Sequence, residues 1–331
     1  MSLNFHGSQK SKIGTRDRKK KIKTFITGIS GFVGGHLADF LLTQGCEVSG
    51  QYRSQKPCFS KNIKVFPVEI TDTRSLSKVL RKVRPDVIFH LAAQSIPRAA
   101  WQDPIGTISV NTGGTVSLMN AMLKATLTSR LVFASTNLVY GKNLRLLHKV
   151  GEDTSILPED PYAFSKALAE LSCLNYHARY AIDVVIARPF IHIGPRQSDK
   201  LLFSDWCKQI ALIEKKFAKP LLRVGNLDAF RDILNVSDVV NAYYILARKG
   251  KSGQIYNICT GKTAGLKQLA DSLLMASTKP AKIFVEKKRV RKTDPPKICG
   301  DNRKILRLGW VPKSDAINAL NQMLDYWRKI V

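Results

Sequence analysis

The stretch Thr27-Gly28-Ile29-Ser30-Gly31-Phe32-Val33-Gly34 decides the fold. It follows an apolar run carrying Ile22, Phe25 and Ile26. It opens a second pattern, Val33, Leu37, Phe40 and Leu41, spaced as one face of a helix. Glycines three apart between a strand and a helix have a physical task. Two let the turn fold tightly and bring backbone close to a pyrophosphate, and the third lets the helix pack near the strand. The helix N-terminus then turns unpaired N–H groups and a positive dipole end toward the phosphates.

Working outward, strand-like runs recur at 21–27, 47–52, 63–68, 86–91, 130–134 and 183–188. Helix-like runs fall between them at 33–44, 73–83, 105–125 and 162–180. Repeated βα units predict a Rossmann-type, doubly wound parallel α/β sheet with helices on both faces. After Pro189 the rhythm breaks into shorter, Pro- and Gly-punctuated elements. The expected organisation is a basic tail over 1–21, a dinucleotide-binding domain over 22–190 and a smaller C-terminal α/β substrate lobe over 191–331. The lobe is interleaved with the domain, because 234–259 still reads as an αβ pair returning to the sheet. Ligands of such folds bind beyond the carboxyl ends of the strands, here in the cleft between the lobes.

Composition narrows the class. No apolar stretch is long enough to span a bilayer. Residues 10–23 are basic, but no long apolar run follows them, so no secretory leader is expected. The six cysteines show no paired C-x-x-C spacing, which argues for reduced thiols in the cytoplasm and against a disulfide scaffold or zinc site. The net charge of +28 is concentrated partly in the N-terminal segment. It could neutralise nucleic-acid phosphates, steer an anionic nucleotide, or be a solvated face. No aromatic–basic array or recognition helix accompanies it, which favours the solvated face.

Tyr162 and Lys166 stand four apart on a predicted helix and so share one face. A tyrosine trades protons near neutral pH only with help, and a neighbouring ammonium is expected to lower its pKa. Spacing alone does not decide, since Tyr52 and Lys56 match it in a loop. Context does. Ser135 and Thr136 follow the fifth strand-like run, where a hydroxyl can donate to a substrate oxygen while Tyr162 moves a proton. His192 has no second ligand at metal spacing, so no metal is expected. Arg53 stands where NAD enzymes carry an acidic residue on the ribose. An arginine there suits a 2′-phosphate, so NADP is preferred, with NAD as the alternative.

Together with the glycine run, His90-Leu91-Ala92-Ala93-Gln94-Ser95, Val110-Asn111-Thr112-Gly113-Gly114-Thr115, Val139-Tyr140-Gly141 and the Tyr162/Lys166 pair resemble the extended short-chain dehydrogenase/reductases of nucleotide sugars. The resemblance runs from Ile22 to the C-terminus. The later segments, Arg188-Pro189-Phe190-Ile191-His192-Ile193-Gly194-Pro195-Arg196-Gln197, Gly225 to Asp232, Arg291 to Asp294 and Gly300-Asp301-Asn302, look like those of GDP-4-keto-6-deoxy-D-mannose reductases, relatives of the GDP-mannose 4,6-dehydratases.

The resemblance implies reduction of a GDP-linked 4-keto-6-deoxy sugar to GDP-D-rhamnose or its C4 epimer. Thr136, Tyr162 and Lys166 would be catalytic. Cofactor contacts would come from Gly28, Gly31, Phe32, Val33, Gly34, Arg53, Glu69, Ile70, Leu91, Ala92, Ala93, Asn111, Ser135, Pro189 and His192, besides Tyr162 and Lys166. Gln94, Thr136, Arg196, Arg231, Arg291 and Asp294 would face the substrate, the arginines as clamps on the GDP diphosphate. Two departures matter. Dehydratases carry a Glu two residues after the catalytic Thr, and here that position is Leu138. Relatives carry Asn where this chain has Ile191. A homodimer through a four-helix interface built from 105–125 and 162–180 is also implied. A nucleotide-sugar 4-epimerase, a 4,6-dehydratase and a non-enzymatic nucleotide-binding protein with a nucleic-acid-binding tail stay open as alternatives.

Overall fold

A computed structural model describes residues 21–54, 56–57, 63–290 and 295–331. Residues 1–20 of the expected tail, together with Arg291 and Asp294, lie outside the described residues. The first half runs β1 (Lys23–Thr27), α1 (Phe32–Thr43), β2 (Glu47–Tyr52), β3 (Lys64–Pro67), α2 (Thr73–Val83), β4 (Val87–His90), α3 (Pro97–Gln102), α4 (Pro104–Ile108), α5 (Gly114–Lys124), β5 (Arg130–Ala134), α6 (Asn143–Leu146), α7 (Pro161–Tyr180) and β6 (Val184–Pro189). The second half runs β7 (Ile191–Ile193), α8 (Leu202–Glu214), β8 (Leu221–Val224), β9 (Phe230–Arg231), β10 (Ile233–Asn235), α9 (Val236–Lys249), β11 (Ile255–Ile258), β12 (Ala264–Gly265), α10 (Leu266–Ala276), β13 (Lys282–Val285), β14 (Lys297–Ile298), α11 (Arg303–Leu306) and α12 (Ala316–Ile330).

Seven strands form one parallel sheet in the order β11-β6-β5-β4-β1-β2-β3. Successive residues face opposite sides, as the two-residue period demands. Ile26, Phe89, Val132 and Val185 join α1 and α9 in one core. Their neighbours Phe25, Ile88, Leu131 and Val184 join α2, α5 and α7 in another. The order reverses between β1 and β4, which opens a crevice at their carboxyl ends. Gly28 and Leu91 sit there.

A second lobe has its own core, in which Trp206 and Ile210 of α8 meet Leu269 and Leu273 of α10 and Leu320 and Met323 of α12. Small strand pairs edge it: β7 with β10, β8 with β13, and β9 with β12 and β14. The helix expected over 105–125 is in fact α4 and α5 joined by a π turn at Ser109–Gly113. There the Thr115 hydroxyl donates to the Asn111 carbonyl at 2.6 Å, a side-chain bond that competes with the helical ladder. Among the described residues no helix is long and apolar enough to cross a membrane.

Candidate active site

The glycine run forms the turn between β1 and α1. Gly28 has a φ of +68°, in the left-handed region, and a Cβ there would lie 2.9 Å from the Ala92 backbone. Gly34 packs so closely that a Cβ would stand 2.3 Å from the Gly28 carbonyl oxygen. Gly31 caps α1 without any side-chain bond, so the first N–H groups of the helix stay open to a ligand. Phe32 stacks on His192 of β7 with ring centroids 6.1 Å apart. Phe32 therefore closes the loop against the second lobe. Pro189 ends β6 directly before that lobe begins.

Across the crevice, α7 starts at Pro161, and Asp160 caps it by accepting from Ala163 N–H at 2.8 Å. The first turn therefore holds Tyr162 at the sheet's carboxyl end. Its hydroxyl lies close enough to Thr136, which follows β5, for that residue to ease the phenol's ionisation. Burial pushes the Tyr162 phenol up to about 12, against the lowering expected from Lys166. Lys166 itself points its Nζ at the Phe133 ring, 4.2 Å from the centroid. Burial brings that ammonium down to about 8. It makes no hydrogen bond or ion pair among the described residues and is 3% exposed. Its charge bears on His90 rather than on the phenol.

Beneath the site runs a chain of polar contacts that the sequence reading did not foresee. The Thr27 hydroxyl accepts from Leu91 and Ala92 N–H, both at 3.2 Å. With its lone pairs used, it donates to His90 Nδ1 at 2.7 Å. His90 Nε2–H then donates to Thr115 at 3.0 Å, and Thr115 donates to the Asn111 carbonyl. The Asn111 amide continues the chain to Ser165, whose hydroxyl donates to the Tyr162 carbonyl at 2.7 Å. The chain spans β1, β4, the π turn and α7. Burial holds His90 neutral, near 3, as the chain requires.

Several expected contacts are not available. Asn111 spends both amide hydrogens on the Gln94 carbonyl and Ser165, and its oxygen accepts from Gln94 N–H. It positions backbone and offers a cofactor no amide hydrogen. The Gln94 amide is folded onto Ile96 and Thr107, so it does not reach toward a substrate. Ile70 is 2% exposed and packs against Gly114 in the core, so its side chain cannot touch an adenine. Glu69 is exposed and accepts from Ile70 N–H. Arg196 lies against α1, ion-paired with Asp39 at 2.9 Å.

Arg231 does sit in the second lobe, buried in β9, with Nη1 donating to the Phe230 carbonyl. Asp232 beside it accepts from Thr260, Gly261 and Gly300, pinning two loops around that strand. Leu138 is half-buried against the apolar cluster that contains Tyr140, Leu144, Val150, Phe190, Cys259 and Ile298. Ile191 pairs with Ile233 and packs on the second lobe's core. Arg53 is exposed at the end of β2.

The residues fit a nicotinamide dinucleotide. A glycine cradle with open helix N–H groups suits a pyrophosphate. Lys166 is a buried ammonium without an acceptor, and Ser135 Oγ is buried without a partner. Both lie by β5 and α7, at the crevice, where ribose and amide oxygens would satisfy them. Among the described residues no cluster of His, Cys, Asp or Glu could hold a metal.

A family model described as GDP-mannose 4,6 dehydratase matches residues 25–323. The GDP-6-deoxy-D-mannose reductase of Pseudomonas aeruginosa is 29% identical over 314 residues, covering 93% of this chain and 98% of that protein. A GDP-mannose 4,6-dehydratase of Vibrio cholerae is 30% identical over 268 residues, covering 76% of this chain and 70% of the relative. A solved structure described as RMD from Pseudomonas aeruginosa complexed with NADPH has a TM-score of 0.83 at 28% identity, covering 94% of this chain and 100% of that one.

Proposed function

The chain belongs to the GDP-mannose 4,6-dehydratase family, and from that premise we propose that it is its NADPH-dependent 4-ketoreductase, converting GDP-4-keto-6-deoxy-D-mannose to GDP-D-rhamnose or its C4 epimer. One observation carries the choice of reduction over dehydration. Removing water across C5–C6 needs a base where the dehydratases carry Glu, and this chain places Leu138 there, packed into an apolar cluster. Glu159, a carboxylate that could otherwise replace it, is ion-paired with Arg145.

Bound in the crevice, NADPH supplies the hydride that becomes the C4–H of the sugar. The chain's own residues manage the oxygen and its proton. Thr136 and Tyr162 bring two hydroxyls near one another, and a carbonyl oxygen placed against both would accept from each. The burial-raised Tyr162 pKa keeps the phenol protonated at neutral pH, which suits a proton donor to the alkoxide. Lys166 would hold the ribose hydroxyls of a bound dinucleotide, through which a replacement proton would reach the phenol. Arg231, with Arg291 and Asp294, grips the GDP diphosphate and sugar.

The protein acts in the cytoplasm as a homodimer. Phe164 and Leu171 on α7, with Trp101 and Ile105 beside it, expose apolar side chains on the faces that a four-helix interface would cover.

The test is consumption of NADPH and NADH with freshly generated GDP-4-keto-6-deoxymannose, the product identified by NMR. Oxidation of NADPH with formation of a GDP-6-deoxyhexose is expected. Tightly retained NAD with no net oxidation would favour the 4-epimerase reading.

A further inference from the structure

We propose that Arg196, reaching over from the second lobe, binds the ribose 2′-phosphate of NADPH, and that Asp39 is the internal anion it leaves to do so. The proposal rests on the nicotinamide reading above and deepens it.

Arg196 follows β7 and has a φ of +71°, a conformation a non-glycine residue keeps only when its surroundings hold it. Two contacts with α1 hold it. His36 Nε2 bonds the Pro195 carbonyl at 2.8 Å, and Arg196 Nη2 donates to Asp39 Oδ2 at 2.9 Å. Next to them on α1 lies Gly35, where a Cβ would come within 3.3 Å of the guanidinium. Glycine inside a helix is unfavourable relative to alanine. Here its bare backbone is the bed on which the guanidinium lies flat.

That placement gives Arg196 a view of the ligand. A cavity of about 190 Å³ is bounded by its guanidinium, by Ser30, Gly31 and Phe32 of the glycine turn, and by Pro57 beyond β2. This is the gap between the ends of the first and second strands, where the adenosine ribose of a dinucleotide lies. Arg53 stands exposed at the end of β2, a second cation for the same dianion. The Arg196–Asp39 pair is half-exposed, 41% and 52%, and such pairs are weak. A phosphate with three acceptor oxygens outcompetes one screened carboxylate for a forked donor.

Dissociation constants for NADPH and NADH, measured by calorimetry on the full chain, test this. Arg196→Gln is expected to weaken NADPH about 10–100-fold, the loss of a charge-assisted contact, and NADH by less than about threefold. Asp39→Asn is expected to tighten NADPH several-fold, because the competing anion is gone. Equal losses for both dinucleotides in Arg196→Gln, or weaker NADPH binding in Asp39→Asn, would show the pair merely docking the lobe and overturn the proposal. Wild-type protein that binds NADPH while Arg196→Gln binds it unchanged overturns the role of Arg196 alone. Wild-type protein that binds neither dinucleotide overturns the nicotinamide reading with it.

Discussion

Asn111 Nδ2 donates to Ser165 Oγ at 2.9 Å, and this bond joins the π turn to the first turn of the helix that bears Tyr162. Both groups are buried, so the bond cannot be replaced by water without moving a helix. The position of the Tyr162 phenol is thus set partly by an amide that contacts no reactant.

Asn111→Leu should therefore lower unfolding stability by about 1–3 kcal/mol, since it orphans Gln94 N–H and carbonyl groups. Urea unfolding measures this. Ser165→Ala, which removes one link only, should cost less. A fully stable Asn111→Leu protein would remove Asn111 from the positioning role.

Tyr162→Phe should lower turnover by roughly 10²–10⁴-fold, the span of a general acid. NADPH affinity should change by less than about twofold, because the ring stays in place. Single-turnover rates beside binding titrations separate the two. Near-normal turnover would show that another group delivers the proton.

His90 gives a pH signature. Its folded pKa is near 3 against 6.5 when free, so between those values the unfolded chain binds a proton the folded chain refuses. Stability should fall as pH drops from about 6.5 toward 3 and level off below. At full effect one proton contributes about 1.4 kcal/mol per pH unit. His90→Gln should be less stable at neutral pH yet show a shallower slope between pH 4.5 and 6. Equal slopes would mean that His90 takes up its proton in the fold.

Leu138→Glu places a carboxyl against the apolar cluster of Tyr140, Val150 and Phe190 and their neighbours. Burial disfavours the charged form, so the variant should lose melting temperature relative to wild type at pH 8 and lose less at pH 5. A uniform loss at both values would indicate that residue 138 faces solvent after all.

Phe164→Glu combined with Leu171→Glu places like charges on the exposed face of α7. Light scattering should then report a dimer for the wild type and a monomer for the variant, with the fold retained by circular dichroism. A wild-type monomer, or a dimer that survives both changes, would refute the interface.

Much of this was legible in the sequence because period and chirality leave few choices. Phe25-Ile26, Ile88-Phe89 and Leu131-Val132 alternate between the two cores, and the glycine turn could be read from spacing. Residues whose role depends on distant partners were not. Gln94 and Asn111 look like free amides until their neighbours in the fold use them up. Ile70 reads as a cofactor contact but is buried in the core, against Gly114 of α5. Arg196 and Asp39 are 157 positions apart. The Tyr162 pKa follows burial, which spacing to a lysine does not report.

The edge strand β11 and the helix α9 that covers α1 come late in the chain, after β7 to β10. During translation, α1 lacks its neighbour α9 until residue 249 is made, and β6 keeps a bare edge until β11 follows at 255–258. Contacts of such sequence separation make folding slow and leave a nascent chain prone to association. A truncation ending near residue 190 would carry every glycine of the turn and both Tyr162 and Lys166, yet would have no way to close its own core. The enzyme is indivisible by genetic cutting, although its sheet looks like a self-sufficient module.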